Sequence, residues 1–495
     1  MTMLKTIVTD RARQTEVARA LRRVLPESSV LFEEEDTRPF ECDGLTAYRQ
    51  LPMVVVTPET EQQAADVLKI CHAMHVPVVP RGAGTGLSGG ALPHGEGVLL
   101  SMARFMKVVA VDPLARIAVV QPGVRNAVVS QVAAPFGLYY APDPSSQIAC
   151  TIGGNVAENS GGVHCLKYGL TVHNVLRVRG LTAAGEIVEF GSDALDSPGY
   201  DLLALTIGSE GLLVVVTEVT LRLLPRPAVA RVLMASFDDA ERAGNAVAAV
   251  IAAGIIPAGL EMMDRAAILA VEEFAHAGYD TDAAAVLLCE SDGTEEEVGE
   301  EIRKVTGVLE REGASRIVVS RDEAERLRIW SGRKAAFPAV GRISPDYYCM
   351  DGTIPRSRLG EVLRFIAGLQ EKYGLRCPNV FHAGDGNLHP LILFDANDPE
   401  QLARTEAFAA EVLEKCVAVG GTITGEHGVG VEKIDQMCAQ FGADELDVFH
   451  RLKRAFDPAG VLNPGKAVPT LARCAEYGGM HVHRGALPFP ELPRF

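Results

Sequence analysis

The chain has 495 residues, 47% of them hydrophobic and 22% charged, with 48 glycines and 28 prolines. At about 150 residues per domain this is room for roughly three packing units, which excludes a peptide, a disulfide scaffold and an intrinsically disordered protein. Forty-seven basic residues against 64 acidic ones leave a formal charge of −17 with no long Lys/Arg run, a field that repels phosphate backbones and anionic lipid, so nucleic acid is not an expected partner.

The N-terminal stretch MTMLKTIVTDRARQTEVARALRRV reads as an amphipathic helix without the apolar core of a signal peptide. The longest apolar run, AVAAVIAAGIIP at 246–257, falls short of the roughly 18–20 residues that span a bilayer. MVVVTPETEQQAADVLKICHAMHVPVVPRGAG then reads as strand, helix, strand and glycine loop. Thr57 and Pro58 open that helix, and Val67, Leu68, Cys71 and Met74 mark its buried face. Short strands (GVLLSM, KVVAVDP, IAVVQPG), a helix over 126–136 and the turn PDPSS follow, and the runs from 176 to 224 read as antiparallel strands. These elements make a first α+β domain, 1–227. From Val229 long helices alternate with strands such as AVLLCES and RIVVS, which predicts an α/β second region, 228–425. The rest, 426–495, ends in a tail rich in Pro, His and Arg; helices are expected over 398–420 and 432–456. Ten scattered cysteines without a CxxC pair predict reduced thiols in the cytoplasm and argue against an iron–sulfur or structural zinc site.

The glycines are clustered. RGAGTGLSGGA (81–91) leaves a strand directly, and its backbone N–H groups can turn toward an anion without Cβ clash. Gly84, Gly86 and Gly89 satisfy GxGxxG, but a nicotinamide site needs a helix next, and Pro93, Gly95 and Gly97 would break one. TIGGNVAENSGG (151–162) and IGSEGLLV (207–214) follow in the same domain. One such loop reads equally well as a tight turn; three, with Ser, Thr and Asn interleaved, point to a long bound nucleotide.

A second constellation lies toward the C-terminus. NVFHAGDGNLHPLILF carries His382 and His389, and ITGEHGVGVEK carries Glu426 and His427. Two imidazoles and a carboxylate suit a divalent ion such as Zn²⁺ with positions left open for substrate. The seven-residue spacing of the histidines is not a helical pair, so a turn would have to bring them together, and hydrogen-bonded core histidines are the competing reading.

RGAGTGLSGG, PDPSS, TIGGNVAENSGG and IGSEG, in that order, resemble the FAD-binding domain of flavoproteins of the vanillyl-alcohol oxidase and p-cresol methylhydroxylase type. The resemblance implies that Arg81, Gly82, Ala83, Gly84, Thr85, Gly86, Leu87 and Ser88 hold the FAD pyrophosphate. Pro142, Ser145, Gly153, Gly154, Asn155, Glu210 and Gly211 would lie along the rest of the cofactor. With no histidine between 81 and 91, the FAD is expected to be non-covalent.

GDGNLHP and GEHGVG resemble the signature of the C-terminal FAD-linked oxidase domain of D-2-hydroxyacid dehydrogenases. That likeness implies an α/β substrate domain, a metal, Zn²⁺ or Mn²⁺, on His382, His389 and Glu426, and His427 as base. It also implies Asn387 as a substrate contact and Arg333, in IWSGRKAAFP, as the fork for the substrate carboxylate. FDPAGVLNPGK resembles a closing motif that returns Asn463 and Pro464 to the flavin. Members acting on 2-hydroxyglutarate carry a lysine where this chain has Cys349 or Tyr348, so a small monocarboxylate is expected.

FECDGLTAYR, GVHCLKYGLTVHN and the tail extend the likeness over nearly all 495 residues, to the flavin subunits of bacterial glycolate oxidase complexes. It implies oxidation of glycolate to glyoxylate, with D-lactate as the alternative. It also implies a second FAD-domain subunit and an iron–sulfur subunit as partners, a respiratory-chain electron acceptor, and attachment to the inner membrane only through those partners. The tail after Pro469 is expected to dock a partner. A metal hydrolase would leave the glycine loops unexplained, and a non-catalytic scaffold would leave His427 unexplained.

Overall fold

The structure, a computed structural model, describes residues 10–194, 199–470 and Cys474. Of the tail after Pro469, expected to dock a partner, all but Thr470 and Cys474 lies outside the described residues, as do the first nine residues of the expected N-terminal helix, which is seen from Arg11 to Leu21.

Two sheets build the first part of the chain. In the smaller, Val54–Val56 and Val78–Arg81 both pair in parallel with Val98–Ser101, which lies between them, and Val30–Leu31 closes one edge antiparallel. The helix Glu61–Ala73 crosses over, burying Ala64, Ala65, Val67, Leu68 and Cys71. Its cap is Thr60, whose hydroxyl accepts from Gln63 N–H; the expected start at Thr57 and Pro58 is corrected by three residues because Thr60 has the extended backbone that a cap requires. The larger sheet has five antiparallel strands, the last of them in the chain, Val215–Arg222, inserted at its centre between Ile117–Val120 and Val175–Leu181.

The second part is a five-stranded sheet in the order Arg316–Val319, Val229–Phe237, Ala285–Gly293, Gly259–Asp264, Val380–Phe381. Helices and strands alternate as expected, but every pairing is antiparallel, because Ala285–Gly293 inserts between the two strands that a helical crossover joins. Strand period two separates its faces: Ala285, Leu287 and Cys289 pack under the helices Ala240–Ala252, Glu295–Arg311 and Leu359–Tyr373, while Val286 and Leu288 pack under Arg265–Ala275 and Glu323–Lys334. A sheet covered on both faces explains its continuous apolar strands.

The C-terminal segment departs from expectation in two places. The helix expected over 432–456 is broken into Met437–Gln440 and Ala443–Phe456, because Phe441 and Gly442 between them take extended backbone, while the N–H groups of Val431 and Glu432 turn to the carbonyl of Ser88 in the first glycine loop. Cys438 and Cys474, 36 residues apart, form a disulfide with Cα atoms 5.4 Å apart, which corrects the expectation of ten reduced thiols. Leu462 then bridges to Val78, returning the chain to the smaller sheet.

The two parts are clamped by charge. His164 donates from Nδ1 to Asp143 at 2.7 Å and from Nε2 to Glu290, on the central strand of the second sheet, at 3.2 Å. Glu290 also takes Arg326 and Trp330, and Asp292 takes Lys167 and Tyr168. Burial disfavours the imidazolium, but the carboxylates of Asp143 and Glu290 overcome it and raise the His164 pKa well above its ordinary value. A raised folded-state pKa stabilises below the unfolded value, about 6.5, and that contribution is lost as pH rises through the folded value. His164→Ala is therefore expected to lower the melting temperature in calorimetry most near pH 6 and less in the alkaline range.

Candidate active site

The glycine loops converge on one cavity of about 400 Å³. Of the residues expected at FAD, Arg81 to Leu87, Ser145, Gly153, Gly154, Asn155, Glu210 and Gly211 line it. Gly84 holds φ +70°, and a Cβ there would strike the Arg81 guanidinium, so glycine is required. Gly86 faces open space. Four expected contacts, Ser88, Pro142, Asn463 and Pro464, stand behind the wall. Pro142 offers its carbonyl to Asn126, and Ser88 offers its carbonyl to Val431 and Glu432. Asn463 donates to the carbonyls of Gly90 (3.0 Å) and Glu210 (2.7 Å), stapling the first glycine loop to the third. Lys466 reinforces that staple through Gly90, Leu92 and Asn463, and burial brings its ammonium down to about 7.

His389, Glu426 and His427 line the same cavity. His389 Nε2 lies 2.9 Å and His382 Nε2 3.3 Å from Glu426 Oε1, and one ligand atom from each of the three falls within 4.8 Å of the others. The turn at 384–387 brings the histidines together: a hairpin bridge pairs His382 with Asn387, and Gly386, at φ +84°, packs against the carbonyl of Ile354. Both rings are oriented from behind, His389 Nδ1 by the carbonyl of Met350 (3.0 Å) and His382 Nδ1 by Glu261 (2.8 Å), leaving both Nε2 lone pairs toward Glu426. Two imidazoles and a carboxylate with orienting partners fit a divalent cation such as Zn²⁺ or Mn²⁺. Burial opposes charge on these groups, yet mutual attraction holds Glu426 well below the carboxylate range and pushes His389 up to about 10, so protons and a metal compete for the same lone pairs.

His427 differs from both. Its ring stacks on His389 at 4.9 Å, its Nδ1 has no hydrogen-bond partner, and its Nε2 is 3.9 Å from Glu426. Burial, aided by the charges of His389 and Lys433, brings it down to about 4 against the pull of Asp351, so its imidazole is neutral at physiological pH.

Two expected substrate contacts are corrected. Asn387 does not line the cavity; its amide donates to Asp351 at 3.2 Å. Arg333 is buried at the end of the helix Glu323–Lys334 and sends both Nε and Nη2 to Glu261, each at 2.8 Å. Its neighbour Lys334 does line the cavity, with Phe337, Pro338 and Tyr347. Cys349 and Tyr348 are buried and off the wall, Tyr348 meeting the Tyr48 hydroxyl at 3.3 Å.

Sequence reasoning missed three carboxylates. Asp351, fully buried, accepts from the N–H groups of Gly425 (3.0 Å), Glu426 (3.1 Å) and His427 (2.9 Å), from Thr424 and Asn387, and from the buried Lys433. Glu210 was expected at the cofactor, but it also accepts from the N–H groups of Val429 and Gly430, both at 2.7 Å. Glu158, on the cavity wall, has a buried Oε2 without a partner; burial and the adjacent Glu210 push its carboxyl well above the usual range. An orphaned polar atom on a glycine-lined wall fits a bound cofactor. Glu261 had a visible signal, an acid interrupting the apolar run GLEMM.

This combination of cradle and fold defines a flavoprotein of the vanillyl-alcohol oxidase type. Residues 52–191 match the family "FAD binding domain" and residues 226–467 match "FAD linked oxidases, C-terminal domain". The chain is 62% identical over 482 residues, 97% of each chain, to "Glycolate oxidase subunit GlcD" of Escherichia coli K12. It is 33% identical to "D-lactate dehydrogenase" of Anaerostipes hadrus, across 88% of this chain and 94% of that one. Among solved structures, 4-ethylphenol oxidase from Gulosibacter chungangensis shares the fold with a TM-score of 0.80 at 15% identity, covering 94% of this chain and 99% of that one. The chain belongs to the FAD-linked oxidase family.

Asp351→Ala would leave three backbone donors unpaired in the interior and would take from the Lys433 ammonium one of its two carboxylates, the other being Glu432 at 3.3 Å. Breaking a buried pair in this way costs about 3–5 kcal/mol, a loss expected in chemical denaturation.

Proposed function

We propose that the chain oxidises glycolate to glyoxylate as the catalytic subunit of a multi-subunit dehydrogenase. The observation that carries this reading is that His389 and Glu426, clustered with the buried His382, and the neutral His427 line the same cavity as the glycine loops. Similarity to a glycolate oxidase subunit over 97% of the chain supports the substrate.

FAD, when bound, accepts the C2 hydrogen as hydride, and a divalent ion on His382, His389 and Glu426 acidifies the substrate hydroxyl. The residues of the chain supply the rest. His427 accepts the hydroxyl proton; with its basic form persisting down to about pH 4, the lone pair is free across the neutral range. Lys334 gives the wall a positive charge for the substrate carboxylate, and Phe337, Pro338 and Tyr347 bound the space around it. Cys349 and Tyr348 offer no cation for a second carboxylate, which supports a small monocarboxylate. D-lactate is the second reading, favoured by the 33% identical D-lactate dehydrogenase; it differs by one methyl, worth about 1–3 kcal/mol of discrimination.

Electrons then leave to partners. The E. coli relative is named as a subunit, in keeping with a second FAD-domain subunit and an iron–sulfur subunit that pass electrons to a respiratory acceptor. No helix among the described residues is long and apolar enough to cross a membrane, and attachment to the inner membrane through these partners belongs to the same proposal.

His427→Ala is expected to retain FAD and to lose about 10²–10⁴ in the rate of flavin reduction by glycolate, read by anaerobic stopped flow. In the wild type that rate is expected to be flat through neutral pH and to fall as pH drops toward 4. Normal reduction by the variant would remove His427 as the base, and a kcat/KM for D-lactate above that for glycolate would favour the second reading.

A further inference from the structure

We propose that Glu261 is a positioning residue of the metal site, with Arg333 as its counter-charge, an inference that rests on the reading of His382, His389 and Glu426 as metal ligands. Glu261 lies on the strand Gly259–Asp264, in a sheet otherwise apolar at that level. Met262 pairs with Phe381 and Met263 with Val380, so one step further along the same register sets Glu261 across from His382, just past the end of the partner strand. The pleat makes that encounter obligatory rather than incidental.

The carboxylate divides its two oxygens between two partners. Oε1 is 2.8 Å from His382 Nδ1, and Oε2 takes Nε and Nη2 of Arg333. All three side chains are almost entirely buried. A carboxylate in this position does two things to His382. It fixes the tautomer with hydrogen on Nδ1, which leaves Nε2 as a lone pair facing Glu426 Oε1 at 3.3 Å, and it locks the ring plane. Without a cation beside it, the same carboxylate would be an uncompensated buried charge; Arg333 supplies that cation across the sheet face. The guanidinium is thereby committed to Glu261 and stands off the cavity wall, while Lys334 lies on it.

The test is metal affinity of the FAD-loaded protein, because a merely structural role would not move it selectively. Mn²⁺ is titrated into chelator-treated holoenzyme, with free Mn²⁺ read by electron paramagnetic resonance and FAD content and melting temperature measured alongside. Glu261→Gln is expected to raise the Mn²⁺ Kd about 10–100-fold with FAD content unchanged. The double variant E261A/R333M removes both members of the buried pair, so it keeps the question answerable should the single substitution fail to fold; it is expected to weaken Mn²⁺ binding similarly. Wild-type Mn²⁺ affinity in a folded, FAD-loaded variant overturns the role of Glu261. Failure of the wild-type holoenzyme to bind Mn²⁺ or Zn²⁺ at all overturns instead the metal reading on which it rests.

Discussion

The carboxylate of Asp351 fixes the reactive end of this molecule. Three successive N–H groups, those of Gly425, Glu426 and His427, converge on it, with Thr424, Asn387 and Lys433 completing the cage. A buried carboxylate surrounded by donors stays ionised; burial works against it, but His427, Lys433 and His389 hold its pKa far below the usual range. Because the backbone of 425–427 is pinned to one point, the side chains of Glu426 and His427 have no freedom to wander. Glu426 is delivered to the two histidines and His427 is stacked on one of them.

A second carboxylate repeats the device one turn on and joins the two halves of the chain. Glu210, in the third glycine loop, takes the N–H groups of Val429 and Gly430, while Ser88, in the first loop, takes those of Val431 and Glu432. The segment that bears Glu426 and His427 is therefore bolted at one end to the substrate region through Asp351 and at the other to the FAD cradle through Glu210 and Ser88. Asn463 and Lys466 close the same joint from behind. Flavin chemistry and proton abstraction need reacting groups held to within a fraction of an ångström, and a peptide segment anchored to both parts of the chain meets that need.

Much of this was legible in the sequence, for identifiable reasons. Clustered glycines announce backbone that must approach a ligand, and thirteen of the seventeen residues expected at FAD do line the cavity. The His382, His389, Glu426 set was readable because such side chains are rare beside apolar strands, and they do come together. What the residues could not disclose was direction. Arg333 and Lys334 are adjacent on one helix and either could have faced the substrate; the helical rotation of about 100° per residue turns one onto Glu261 and the other onto the cavity. Asn387 belongs to the signature but its amide serves Asp351, and neither Asp351 nor Glu261 carries a spacing that predicts its partners, since these lie 36 to 121 residues away in the chain.

The account stands on one cavity serving cofactor, metal and substrate together. The visible spectrum of the purified chain, recorded anaerobically before and after glycolate with a parallel sample stripped by chelator, tests that directly. The account predicts a flavin band that glycolate bleaches and that chelator treatment protects from bleaching until Zn²⁺ or Mn²⁺ is restored. A flavin band that glycolate bleaches equally after complete metal removal would contradict the metal half of the account, and a colourless chain that fails to take up added FAD would contradict it altogether.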